Sequence, residues 1–166
     1  MSPDYHTSTE RSASLEEETK TVIEEARMVL PGIQALFGFQ LIAVFNNRFR
    51  DLSEREQVFH LSALFLVALA VALIMTPAAY HRIAERGIFS RRFVNFASLF
   101  LECALLPLML GIAIDLFLLG RLILNNPMLS AALAIGMFLL FCGLWYLFPW
   151  TIYFIHIRRR RAALKH

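Results

Sequence analysis

The sequence predicts an all-α integral membrane protein, a bundle of four transmembrane helices with its N and C termini in the cytoplasm. Three observations predict it. The 166 residues are 58% hydrophobic and 17% charged, with mean hydropathy +0.58, where soluble domains average about 45–50% apolar and about 25% charged. The charges are clustered. Met28 to Asn47, Gln57 to His81 and Leu122 to Ile157 hold no Asp, Glu, Lys or Arg, and Phe93 to Gly120 holds only Glu102 and Asp115. These runs also lack the alternation of lipid-facing barrel strands. A helix needs about 20 apolar residues to cross a ~30 Å hydrocarbon core, and only helices and closed barrels satisfy their backbone there. Such a composition excludes a disordered chain, a collagen and a disulfide scaffold.

In chain order, residues 1–13 are polar and read as a disordered cytoplasmic tail. Ser14 with Glu17 has the spacing of a capping box, opening a cytoplasmic helix over 14–27 that leads into the first span. The membrane domain covers 28–157, with spans at about 28–47, 57–80, 93–119 and 127–157. Ser53 with Glu56 is a second capping box, at the start of helix two. Gly87 is its expected stop, and Ser90 is the expected cap of helix three. Asn126-Pro127 reads as cap plus first helical residue of helix four. Pro77, Pro107 and Pro149 fall inside spans and remove the amides that would bond Leu73, Cys103 and Trp145. Ala68/Ala72 and Ala132/Gly136 have the small-xxx-small spacing that lets helices approach. Residues 158–166 form a basic cytoplasmic tail, in which Arg158, Arg159, Arg160 and Arg161 anchor helix four and attract anionic lipid.

Orientation follows from Lys and Arg. With four spans, the two tails and the middle connection share one side, which carries twelve of the sixteen basic residues against four on the other. Basic loops stay cytoplasmic. The first apolar run follows an acidic stretch rather than a basic one, so no cleavable signal peptide is expected.

Polar residues inside the spans are the functional lead, because a charge at the bilayer centre costs roughly 2.5–3.5 kcal/mol. Glu102 lies nine residues into the third apolar run, an expected depth of ~14 Å. Asn95 and Ser98 precede it by seven and four residues and share its face. Arg27, Pro31, Gln34 and Gly38 form a comparable stripe on helix one, with Gln34 ~9 Å in. The expectation is a polar pocket of Glu102, Gln34, Asn95, Ser98 and Arg27 opening toward the cytoplasm. Asp115 lies ~20 Å beyond Glu102 and ~140° around the helix, so it is expected near the outer interface.

The five histidines have no metal-ligand spacing, and Cys103 and Cys142 form no paired motif. No phosphate-binding, dinucleotide or hydrolase fingerprint occurs. No cofactor, metal or enzymatic activity is expected. The expected partners are the lipid bilayer, with anionic lipid at the cytoplasmic face, and further copies of the chain; nucleic acid is not.

Two stretches carry a resemblance. Residues 24–39, EEARMVLPGIQALFGF, and 76–82, TPAAYHR, resemble the signatures of a bacterial membrane-protein family of unknown function. Its members are short multi-span proteins common in actinobacteria, some automatically labelled sodium:proton antiporters. The resemblance implies a multi-pass protein of the bacterial cytoplasmic membrane. Arg27, Pro31 and Gln34 fall inside its first signature. The functional expectation is a non-enzymatic accessory or structural role. The alternative is a proton-coupled ion transporter with Glu102 as its intramembrane proton site.

Overall fold

The computed structural model describes the backbone of residues 3–84 and 90–163, and side chains over 14–84, 90–155 and at 157. The described backbone is helical nearly throughout, with no strand. Helix α1 runs Pro3–Ala43, α2 Glu54–Ala84, α3 Arg91–Leu124, α4 Pro127–Cys142 and α5 Phe148–Ala163. Among the described residues, four helices are long and apolar enough to cross a membrane: Ser14–Ala43, Glu54–Ala84, Arg91–Leu124 and Pro127–Ile155. The last joins α4 to α5 through a π-helical turn at Gly143–Leu147.

Helix α1 starts earlier than expected. Its backbone is helical from Pro3, so residues 3–13 continue the helix and the Ser14–Glu17 pair lies inside it rather than at its start. It also stops at Ala43, four residues short of the charge-free run. There Asn46 turns the chain, accepting from the Arg48 amide at 3.0 Å and opening a 3₁₀ turn over Asn47–Asp51. The other caps follow the sequence. Ser53 Oγ accepts from the Glu56 amide at 3.4 Å while Glu56 Oε2 accepts from the Ser53 amide at 2.9 Å, a reciprocal box that satisfies two donors at once. Ser90 Oγ accepts from the Phe93 amide at 3.0 Å. Asn126 accepts from the amides of Met128 and Leu129 at 3.0 and 3.2 Å, with Pro127 first in the helix. Asn125 takes a left-handed φ of 48° just after α3, and its amide bonds the Arg121 carbonyl at 3.2 Å, which ends that helix. Gly87 lies outside the described residues, as do the side chains of Arg158, Arg159, Arg160 and Arg161.

The chain divides into two compact units, Met1–Gly111 and Ile112–His166. In the first, α1 and α2 pack as an antiparallel hairpin joined by the capped turn. The inner face of α2 is His60, Ala63, Val67, Ala70, Ile74 and Pro77, spaced by three and four as a helix stripe requires. The inner face of α3 is Phe93, Ala97, Ala104, Leu108 and Gly111. At Gly111 the helices are so close that a Cβ would stand 2.9 Å from Val67 Cγ2 and 3.2 Å from the Ala63 carbonyl. Small residues permit this approach, and packing replaces the hydrophobic drive that lipid removes.

The second unit repeats the device. A Cβ on Gly120 would meet Ser130 Cβ and Oγ at 3.0 Å, and Ser130 Oγ donates back to the Asn126 carbonyl at 2.7 Å. Ala132 and Gly136, the pair with the expected spacing, are exposed, and Gly136 has open space around it. The buried positions are Ser130 and Ala134 instead. The π turn immediately precedes Pro149, with the Phe148 amide bonded to the Gly143 carbonyl. Widening the helix here relieves the clash between a proline ring and the carbonyl four residues back.

Candidate functional site

The predicted polar pocket needs two stripes to face each other, and the packing turns both aside. On α1 the face against the unit is Thr19, Val22, Ile23, Ala26, Leu30, Ile33 and Gln40, all buried or half-buried, while Gln34 is exposed. Gln34 is one residue, about 100°, away from Ile33. On α3, Asn95 and Glu102 are exposed and Ser98 is half-buried. Each lies off the Phe93–Ala97–Ala104 face. Several of the interior positions, Ala97, Ala104 and Gly111, are small, and small residues permit close backbone contact, which a carboxylate or amide would prevent.

A cavity of about 410 Å³ does open in the first unit, and it has a different composition. Helix α1 contributes Val22, Ile23, Ala26, Arg27 and Leu30. Helix α2 contributes Ile74, Met75, Pro77, Ala78, His81 and Arg82, and α3 contributes Leu101. Of the predicted group, Arg27 alone is among these residues. The lining is apolar along most of its length and carries Arg27, His81 and Arg82 as its charged or titratable groups, with no acid among them. His81 is half-buried and its ring leans on Phe93, centroids 5.1 Å apart. Tyr80 stacks near Phe93 at 6.3 Å and against Phe96 at 5.1 Å. This aromatic cluster fixes the end of α2 to the start of α3. Nearby, Arg91 pairs with Glu18 across 73 residues of sequence.

The depth of Glu102 follows from helix register. Two contacts fix it: Gln40 against His60, and Gly111 against Ala63 and Val67. Ten residues back from Gly111, about 15 Å, Leu101 comes level with Met75, and both line the cavity. Fifteen residues on from His60, Met75 comes level with the stretch ending at Arg27. Glu102 therefore stands near the level where the charges of α1 stop, rather than ~14 Å past it. The sequence estimate counted from Phe93 as if the membrane began there, but α3 starts well outside the charge-free part of α1. Asp115, in the second unit, is half-buried nine residues before the end of α3, about 14 Å from Leu124.

Sequence reasoning missed His60 and His81. His60 is buried, its Nε2 sits 2.9 Å from the Gln40 carbonyl, and its ring meets Phe49 edge-on at 5.3 Å. Its signal was a polar residue on the Ala63–Val67–Ala70 stripe. His81 carried one too, immediately before the first arginine after a 25-residue charge-free run. Among the described residues no cluster of His, Cys, Asp and Glu could hold a metal ion.

A family of unknown function, DUF6328, matches residues 8–149. The chain belongs to that family. No curated protein and no solved structure matches the chain. The family match spans both signatures quoted above and three of the four candidate spans in full, ending inside the last.

Proposed function

We propose that this member of DUF6328 is a non-enzymatic, multi-pass accessory protein of a bacterial cytoplasmic membrane, with both termini in the cytoplasm. The observation that carries the reading is the pairing of four long apolar helices with close contacts made by small residues, Gly111 on Ala63 and Gly120 on Ser130. Such contacts hold helices together in lipid. The excess of Lys and Arg on one side supports the orientation. Large exposed apolar side chains such as Phe65, Leu99, Ile123 and Leu139 suit lipid or further copies of the chain as their surroundings. Carbonate washing of membranes tests integration: the chain should stay in the pellet. Cysteine labelling at positions 8 and 164 from inside and outside right-side-out vesicles tests orientation. Labelling of either end from outside would overturn it.

A second reading has Glu102 as the proton site of an ion carrier. It is favoured by one placement, Glu102 directly following the cavity residue Leu101. Proteoliposomes under a pH and sodium gradient decide it. Flux that Glu102→Gln abolishes, with helicity retained, supports the carrier, and absence of wild-type flux removes it.

A further inference from the structure

We propose that the outward face of α1 is a contact between two copies of this chain, set side by side about a two-fold axis. The proposal rests on the membrane reading above, which gives both copies one orientation and so makes their α1 helices parallel. Three observations carry it. First, the stripe that the sequence places on one face of helix one has a seven-residue repeat. Glu17, Glu24, Pro31 and Gly38 form one column, and Lys20, Arg27, Gln34 and Leu41 form a second about 60° around the helix. All are exposed except Gly38, which is half-buried with open space where a Cβ would stand. Gln34 and Gly38 lie about 100° and 140° around from the packed residue Ile33. A seven-residue spacing keeps one face of each helix in a supercoiled pair against the other along its length.

Second, the charged half of the stripe is self-complementary. There the first column is acidic and the second basic. A two-fold axis parallel to the helices turns the acidic column of one copy toward the basic column of the other. Glu24 then stands between the levels of Lys20 and Arg27 of the second copy, about 5 Å along the axis from each. Lys20 is bonded to Glu16 within its own chain at 2.7 Å. Arg27 has no ion pair among the described residues, so it is the base left for another chain. Complementary charges of this kind fix partner and register.

Third, the charge-free half carries an amide that lipid cannot satisfy. Gln34 lies seven residues past Arg27, the last charge of α1, about 10 Å into the apolar run. It makes no hydrogen bond among the described residues. A primary amide both donates and accepts, so two copies of Gln34 brought together by symmetry satisfy each other. Gly38, one turn on, lets the two backbones approach closely enough for that. A different protein would need the opposite charge order and an amide at the same depth; a second copy supplies both by symmetry.

The test is disulfide cross-linking in isolated membranes, on the full chain carrying Cys103→Ala and Cys142→Ala. Gln34→Cys, Gly38→Cys and Leu41→Cys should each give a covalent dimer on oxidation. Gly32→Cys and Phe39→Cys, at exposed positions on another side of α1, should stay monomeric. Association is then read by Förster transfer between two tagged populations in phosphatidylcholine vesicles. Gln34→Leu should weaken it about fivefold. Copies with Glu24→Arg and copies with Arg27→Glu should each pair poorly with themselves and roughly fivefold better with one another. That mixture changes only charged residues ahead of the apolar run, so it decides the matter if a cysteine variant loses its helicity. Absence of wild-type transfer overturns the proposal. So does cross-linking that is equal at all five positions or strongest at Gly32 or Phe39, and so does a charge-reversed mixture with no gain over its components. A cross-linked product whose mass is not twice that of the chain would assign the face to another protein and also overturn it. In each of these cases carbonate resistance would still stand, so failure of the contact and failure of the membrane reading are separately visible.

Discussion

The α1–α2 hairpin has two ends that the same kind of sequence builds differently. At the turn end, Asn46, Ser53 and Glu56 satisfy backbone amides within a few residues. His60 closes the gap between helices by its contact with the Gln40 carbonyl and with Phe49. At the other end α1 and α2 share the cavity with α3, and the chain is tied by the exposed Glu18–Arg91 pair and an aromatic cluster. The turn end is sealed because its loop is short, its capping amides are satisfied locally and His60 fills the gap between the helices. The far end stays open because bulky rings and a proline set the spacing there. A helical hairpin thus acquires a cavity by leaving one end incompletely packed.

Substitutions can break this contrast, from the largest expected effect to the smallest. His60→Ala removes a buried ring with a hydrogen bond and an edge-on aromatic contact. It should lower stability by about 3 kcal/mol, seen as a large fall in the detergent melting temperature by circular dichroism. Gly111→Ala forces a Cβ against the Val67 Cγ2 methyl and the Ala63 carbonyl, the latter backbone that cannot yield, and should lower stability by about 2 kcal/mol. Gly136→Ala, which meets open space, should leave melting unchanged or raise it slightly. Equal effects of the two would show that the close approach at Gly111 is absent. Ser53→Ala removes a capping oxygen and should lower stability by about 1 kcal/mol. Arg82→Gln, at the open end, should change melting by less than about 0.5 kcal/mol. If it instead matched His60→Ala, the open end would be a packed core and the cavity reading would fail.

Much of the fold was legible because its signals are local. The Ser53–Glu56 box, the Ser90 cap and the Asn126-Pro127 start need only residues within three or four positions of one another. Runs poor in charge located four helices for a similar reason, since each run alone is long enough to span. The predicted pocket was not legible. Gln34, Asn95 and Glu102 looked like an inward stripe because polar residues in apolar helices usually avoid lipid. In a membrane helix, however, the face away from the core is apolar too, so hydrophobic periodicity does not mark the interior as it does in water. Ala97, Ala104 and Gly111 took the inner face of α3 by being small, and that turned Glu102 outward.

Sequence alone determined the helical class, the four long apolar helices and the caps at Ser53, Ser90 and Asn126. These depend on hydrogen-bonding demands and steric limits that act over one or two helical turns. Tertiary structure decided which face of each helix is inside, that His60 seals one end of the hairpin, and that Arg27, His81 and Arg82 line one cavity. Those outcomes depend on how closely two backbones approach and in what register, quantities set jointly by residues 20 or more positions apart.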